Sequence, residues 1–170
     1  MFQHALAAKA LLDKRRVESN GCPMKNSLLV LSLLLCTSLI SFAGGKAGWE
    51  EDYEKSLARA KAESKLLLMD FTGSDWCGWC IKLDKEVFSE KAFQDYAKEK
   101  LVLLELDFPQ QKEQSQKLKD QNEKLSKEYG IEGYPTIVVL NSEGKKIGEL
   151  GYVKGGPTAF IAELDKLKAK

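Results

Sequence analysis

Residues 66–80 read LLLMDFTGSDWCGWC, an apolar run that leads through a short polar break into a pair of cysteines. A continuous apolar run of this length is typical of a strand buried on both faces, and it predicts a strand over Lys65–Thr72. The break at Gly73-Ser74-Asp75 ends that strand, and we expect a helix to open at the cysteines and run toward Val87. The cysteine pair therefore lies at a strand-to-helix junction.

This junction gives the first cysteine a physical reason to be reactive. Free backbone N–H groups and the helix dipole stabilise a thiolate at a helix N-terminus, so the pKa of the Cys77 thiol should fall below the free value of about 8.5. Cys80 lies one turn inside the helix, where it is shielded and can attack a mixed disulfide formed at Cys77. The pattern predicts a redox-active pair with Cys77 as nucleophile and Cys80 as resolving thiol.

The N-terminal part of the chain has the layout of a secretory signal peptide. Lys25 precedes an uncharged, largely apolar run over residues 27–43, which ends in the small-x-small motif Ser41-Phe42-Ala43. We expect a signal peptide over residues 24–43 with cleavage after Ala43, and a leader over residues 1–23 that lies upstream of a start at Met24. The alternative is an uncleaved anchor that would hold the protein at the membrane. With cleavage, we expect the chain to be periplasmic or secreted.

Composition fits one globular domain. The chain has 170 residues, of which 30% are charged and 44% hydrophobic, with a net charge of +1, so neither disorder nor nucleic-acid binding is expected. Removal of residues 1–43 leaves 21 basic and 23 acidic residues, a net charge of −2. It also removes His4, Cys22 and Cys36, so residues 44–170 hold only two cysteines and no histidine.

Other chemistries of a Cys-x-x-Cys pair fit this chain less well. A structural zinc site needs four ligands, and haem attachment needs a histidine directly after the second cysteine, where this chain has Ile81. No glycine-rich dinucleotide fingerprint follows a predicted strand, so we expect neither metal nor cofactor. A purely structural disulfide remains an alternative, although so short a loop gives little loop-closure benefit.

The rest of the chain alternates between helical and strand patterns. These patterns predict helices over Trp49–Ser64, Ser89–Lys98 and a solvated Glu113–Glu128, strands over Leu101–Phe108, Thr136–Leu140 and Lys146–Tyr152, and a last helix introduced by Gly155-Gly156-Pro157. The last two strands form a hairpin, whereas the earlier strands need helical crossovers. The order predicts an α/β fold with a central mixed sheet flanked by helices on both faces.

The chain resembles the thioredoxin family over about residues 48–170. The resemblance rests on Asp70-Phe71, on Trp76-Cys77-Gly78-Trp79-Cys80, on the segment from Tyr129 to Thr136, and on the hairpin with its final helix. Residues 73–80, followed by Lys85-Glu86-Val87-Phe88, are most similar to exported bacterial domains related to the C-terminal domain of transmembrane thiol:disulfide interchange proteins.

The resemblance implies a thioredoxin fold and roles for further residues. It implies a cis peptide bond between Tyr134 and Pro135, which would present the backbone of residue 134 to an extended substrate. It also implies that Asp70 is a buried acid that relays a proton to Cys80; the alternative is a satisfied polar residue at a strand end. Trp76, Gly78 and Trp79 would support the active site and its rim.

The chain departs from ordinary thioredoxins at several positions. Trp79 replaces a proline between the cysteines, one extra residue separates Asp70 from Cys77, and the segment Pro109–Lys124 is longer. We place the lysine that accompanies the buried acid in thioredoxins at Leu103, which carries no charge. The direction of electron flow therefore stays open.

Two functions follow from these observations. The first is a monomeric thiol–disulfide oxidoreductase that acts on protein disulfides and depends on an external redox partner, which could be membrane-bound. The second is a non-catalytic module that binds proteins through Trp76, Trp79 and Tyr134, with a structural disulfide beneath that surface.

Overall fold

A computed structural model of the protein describes residues 46–168. The predicted leader over residues 1–23 and the predicted signal peptide over residues 24–43 lie outside this range. Within residues 46–168, no helix combines the length and the apolar character needed to cross a membrane.

Within residues 46–168, five α-helices and four strands follow one another in the predicted order. They are α1 (Tyr53–Glu63), β1 (Leu66–Thr72), α2 (Gly78–Leu83), α3 (Lys91–Lys100), β2 (Leu101–Asp107), α4 (Gln116–Tyr129), β3 (Thr136–Leu140), β4 (Lys146–Leu150) and α5 (Gly156–Lys168). A π-helical turn, Asp84–Phe88, continues α2.

The sheet is mixed, as predicted. Its strand order is β2-β1-β3-β4; β1 pairs in parallel with β2, and β3 pairs antiparallel with both β1 and β4. The central strand β1 is buried along nearly its whole length, because helices cover both of its faces. Burial on both faces explains why residues 66–69 form a continuous apolar run instead of an alternating pattern.

Side chains alternate along β1 between two apolar layers. Leu67, Met69 and Phe71 pack on the side that includes Ala60 of α1 and Leu125 of α4. Leu68 packs on the opposite side, with residues of α2, α3 and α5. Asp70 lies two residues after Leu68 on β1, so both side chains point to the same face of the sheet. The Asp70 carboxyl group therefore lies on the face that α2 covers.

Several predicted boundaries were wrong, each for a local reason. Helix α1 begins at Tyr53 instead of Trp49 because Asp52 caps it and accepts a hydrogen bond from the Lys55 N–H at 3.1 Å. The residues before it lie along β2, where Glu50 forms a parallel bridge with Leu104. Ser89 does not cap α3; it ends the π-helical turn, with its N–H bound to the Asp84 carbonyl at 2.8 Å.

Helix α4 also differs from the prediction. It begins at Gln116, after the Ser115 side chain has capped it, and not at Glu113. It is not solvated throughout, because Asn122 and Leu125 are buried. The segment 109–115 is left as a loop beside the cysteine pair.

Candidate redox-active site

The cysteines form a disulfide at the junction of β1 and α2, with Cα atoms 5.2 Å apart. Cys77 is the N-cap of α2, and the Cys80 N–H donates to its Sγ at 3.2 Å. Both residues are buried, Cys80 slightly more than Cys77. Once the disulfide is reduced, the Cys77 sulfur keeps this backbone donor and the positive end of the helix dipole, which favour a thiolate.

The turn before Cys77 fixes the position of Trp76. The Cys77 N–H donates to the Gly73 carbonyl at 2.9 Å, and the Trp76 indole N–H donates to the Phe108 carbonyl at 2.8 Å. The indole lies directly over Gly73, where an added Cβ would come within 2.6 Å of the ring. Trp76 is therefore held at the side of the site, with 41% of its surface exposed.

The predicted cis bond between Tyr134 and Pro135 is present, one residue before β3 begins. The Tyr134 carbonyl oxygen lies 3.7 Å from Cys77 Sγ. The Tyr134 ring packs against Trp76, with centroids 5.9 Å apart, and against Phe108 at 5.1 Å. The backbone of residue 134 thus lies next to the reactive sulfur.

Trp79 forms the opposite side of the site. It is 57% exposed and packs against Tyr152 with ring centroids 5.2 Å apart. The Lys82 ammonium lies 5.0 Å from the Trp79 ring centroid and 5.1 Å from that of Tyr152. We call Trp76, Trp79, Tyr134 and Tyr152 the aromatic rim; the sequence pointed to the first three, whereas Tyr152 lies too far along the chain for any local pattern to reveal it.

A loop contact that sequence reasoning missed braces the site. The Asp75 carboxylate accepts hydrogen bonds from the backbone N–H groups of Gln110, Gln111 and Lys112, at 3.0, 2.7 and 3.0 Å. These hydrogen bonds, led by that of Gln110, lower the pKa of Asp75. Asp107 adds a second brace, because it accepts from the Ser74 N–H at 2.9 Å. The long segment after Pro109 is therefore tied to the turn that carries the cysteines.

Asp70 lies below the disulfide in a polar cavity of about 360 Å³ that Cys80 also lines. The side chain is 4% exposed, and its Oδ1 atom has no hydrogen-bond partner among residues 46–168. Burial raises the pKa of Asp70 to about 7, against the opposing effect of Lys46. A carboxyl group of this kind can exchange a proton near neutral pH.

The prediction that Leu103 occupies the position beside the buried acid was wrong. In the register of β1 with β2, Leu103 pairs with Leu68, and the residue opposite Asp70 is Glu105. A second carboxyl group therefore lies beside Asp70. The cation with the largest influence on the Asp70 carboxyl is Lys46, from the segment before α1.

Known proteins resemble this chain over most of its length. The sequence profile of the thioredoxin-like domain matches residues 53–168. The chain is 33% identical over 122 residues to the disulfide bond reductase DsbH of Chlamydia pneumoniae, covering 72% of this chain and 73% of that protein. It is 29% identical over 159 residues to the thioredoxin-related protein DsbJ of the same organism, covering 86% of this chain and 46% of that protein.

Among solved structures, a DsbH oxidoreductase matches with a TM-score of 0.68 and 32% identity. The match covers 76% of this chain and 90% of that structure.

Proposed function

The chain belongs to the thioredoxin-like family and is a protein-disulfide oxidoreductase, and we propose that it acts as a reductase of protein disulfides through Cys77 and Cys80. One observation carries the assignment of roles: Cys77 Sγ caps a helix beside the aromatic rim, while Cys80 faces the cavity of the buried acid. The direction is supported by the similarity to a disulfide bond reductase.

The proposed cycle begins with the reduced dithiol. The Cys77 thiolate attacks a substrate disulfide, forms a mixed disulfide and releases one substrate sulfur as a thiolate. Cys80 then gives its proton to the Asp70 carboxylate and attacks Cys77 Sγ, which forms the Cys77–Cys80 disulfide and releases the second substrate thiolate. Two electrons pass to the substrate, so an external dithiol must reduce the protein before the next turnover.

Substrate binding is proposed at the aromatic rim. Exposed aromatic side chains can anchor an extended segment of an unfolded or flexible protein. The Tyr134 backbone, beside Cys77 Sγ, is placed to pair with the main chain of that segment. Gly78 and Trp79 separate the two cysteines and complete this surface.

Two variants test the roles of the cysteines. Cys77→Ser should abolish the reduction of insulin disulfides, whereas Cys80→Ser should still attack and should accumulate mixed disulfides visible on non-reducing gels. Equal rates of insulin reduction in both variants and in the unchanged protein would contradict the proposed function.

The reduction potential tests the direction and the competing role of a binding module. A reductase should have a potential near the −270 mV of thioredoxin, and an oxidant one near −120 mV. A potential below about −300 mV would indicate a structural disulfide and would favour the non-catalytic binding module. The exposed Trp79 side chain is compatible with that second function, because it could contact a partner protein.

We propose in addition that the protein is exported and monomeric, and that its electron donor is membrane-bound. Cleavage after Ala43 should give a mature chain that begins at Gly44, measurable as the intact mass of the exported protein. Ala43→Leu should block cleavage, because the enzyme that removes signal peptides needs a small residue there. A mass that retains residues 24–43 in the unchanged protein would support the uncleaved anchor instead.

A further inference from the structure

The cavity beside Cys80 collects more acidic than basic groups. Asp70 of β1, Glu105 of β2 and Asp84 of the π-helical turn all line it. Two lysines reach it, Lys46 from the segment before α1 and Lys112 from the loop after β2. The Lys112 ammonium donates to the Ser74 hydroxyl at 2.9 Å, on the side of the loop contact.

Lys46 is held in place by an ion pair and by two aromatic rings. Its ammonium forms an ion pair with Asp84 Oδ1 and lies 4.4 Å from the Trp49 ring centroid and 4.8 Å from that of Phe88. These two rings pack against each other with centroids 5.0 Å apart. The Lys46 side chain is 24% exposed, against 85% for Lys91 on α3. Aromatic faces and a carboxylate therefore confine this cation to the cavity.

The charge of Lys46 acts on two buried acids at once. Burial raises the pKa of Asp70 and that of Glu105, and in both cases Lys46 is the largest opposing influence. Three neighbouring acids raise the pKa of Asp70 instead, because like charges disfavour ionisation; they are Glu105, Asp84 and Asp107. Without Lys46, the remaining charged groups that influence Asp70 most are all acidic, and Lys112 is the lysine that still lines the cavity.

We propose that Lys46 is a positioning residue of the redox centre, whose fixed positive charge keeps Asp70 able to accept and return the proton of Cys80. This inference rests on the proposed function, because the proton transfer belongs to the resolving step. In that step the Cys80 S–H bond breaks and the proton passes to an Asp70 oxygen. The sulfur then bonds to Cys77 Sγ as the substrate thiolate leaves. Only the ionised carboxylate can take the proton, and Lys46 favours that form.

The first test measures the titration of Asp70 directly. The carboxyl carbon of Asp70 is followed by NMR against pH in the oxidised protein, with Asp70→Asn to assign its resonance. Lys46→Met, which keeps an apolar stem for the Trp49 and Phe88 rings, should move the midpoint upward by about one pH unit, and Lys46→Arg should restore it. Lys91→Met is the control and should leave the midpoint unchanged.

A second variant should shift the Asp70 titration midpoint in the opposite direction. Glu105→Gln removes a like charge beside Asp70 and should move the midpoint downward. General damage to the fold would not produce shifts of opposite sign at one carboxyl group. If Lys46→Met does not give a native spectrum, Lys46→Gln replaces it, with the same expected upward shift.

The second test follows the resolving step. Reduced protein is mixed with an aromatic disulfide that releases a coloured thiolate, once when Cys77 attacks it and once when Cys80 displaces it from Cys77. Lys46→Met should slow the second release up to about tenfold near neutral pH and leave the first release unchanged. The rate of the second release should return to that of the unchanged protein at higher pH. Lys46→Arg should behave like the unchanged protein.

The outcomes separate this inference from the proposed function. An unmoved Asp70 midpoint in Lys46→Met, or a moved midpoint with an unaltered second release, overturns the role of Lys46 even if the protein reduces disulfides well. Failure of the unchanged protein to reduce protein disulfides overturns the proposed function, whereas the NMR titration still decides whether Lys46 controls Asp70.

Discussion

At the scale of single residues, the two cysteines have the same chemistry and different surroundings. Cys77 caps a helix next to the aromatic rim, and Cys80 lies one turn further on beside a cavity that holds buried acids. The first position stabilises a thiolate, and the second supplies a proton acceptor. The proposed division of labour therefore follows from position along one helical turn.

Asp70 should make the stability of the protein depend on pH. Burial raises its pKa from an ordinary 3.8 to about 7, so between these values the folded state binds a proton that the unfolded state has lost. The contribution of Asp70 to stability is therefore greatest below about pH 3.8, declines as pH rises from there to about 7, and stays constant above that value. Asp70→Asn should remove this decline, which amounts to about 3 kcal/mol between pH 5 and pH 8.

Urea unfolding at both pH values checks this prediction. Asp120→Asn, at an exposed acid of α4, is the control and should change the pH dependence little. An equal pH dependence in Asp70→Asn and the unchanged protein would show that the acid does not titrate in this range.

Gly73 should be intolerant of any side chain. A Cβ at this position would lie within 2.6 Å of the Trp76 ring, so Gly73→Ala must displace the indole and break its hydrogen bond to the Phe108 carbonyl. We expect a loss of about 1–3 kcal/mol in unfolding free energy and a change in tryptophan fluorescence. Gly133→Ala, which meets no atom within 4 Å, is the control, and equal losses in both variants would contradict the steric explanation.

At the scale of elements, the site depends on how loops join the ends of strands. The turn after β1 and the loop after β2 leave the sheet at the same edge because the two strands are parallel. Asp75 and Asp107 use this proximity to tie the loops together. The long segment after Pro109 thereby becomes part of the wall beside Trp76.

Asp75→Ala should loosen this wall without breaking the sheet. Three backbone N–H groups, those of Gln110, Gln111 and Lys112, lose their acceptor and should exchange with deuterium faster. The free energy of unfolding should fall only modestly, because solvent competes for these exposed hydrogen bonds. Glu113→Gln, on the same exposed loop, is the matched control for hydrogen-exchange mass spectrometry.

Unchanged exchange over residues 110–112 in Asp75→Ala would mean that the loop is held by other contacts. The hydrogen bond from the Gln114 side chain to the Asp107 carbonyl would then be the next candidate to test.

At the scale of the whole molecule, the redox state and folding are coupled. A disulfide that is hard to reduce in the folded protein stabilises the fold by the same free energy that lowers its potential. If the protein is a reductase, its oxidised form should be the more stable one. Addition of a reductant should then lower the urea midpoint. The free energy of unfolding should fall by about 1.4 kcal/mol for every 30 mV by which the potential of the folded protein lies below that of the unfolded cysteine pair.

The Cys77→Ser, Cys80→Ser double variant should show no such dependence on reductant. A reduced form more stable than the oxidised form would instead indicate an oxidant, and the proposed direction would be reversed.

The sequence by itself determined the parts of this protein that are encoded locally. The apolar run of β1, the break at Gly73-Ser74-Asp75 and the helix that opens at the cysteines are each readable within a few residues, since strand and helix periods are local properties. The order of these elements predicted the mixed sheet. The family resemblance supplied the cis bond at Pro135, which the Tyr134–Pro135 dipeptide alone does not reveal.

Only the tertiary structure decided which groups surround the buried acid. The register of β1 with β2 places Glu105 opposite Asp70, two residues from the position that sequence reasoning chose. Lys46 reaches the same cavity from outside the regular elements, and Asp75 finds its partners 35 to 37 residues along the chain. The physical reason is that such neighbours are set by strand register and by the docking of loops, neither of which leaves a periodic signal in the sequence.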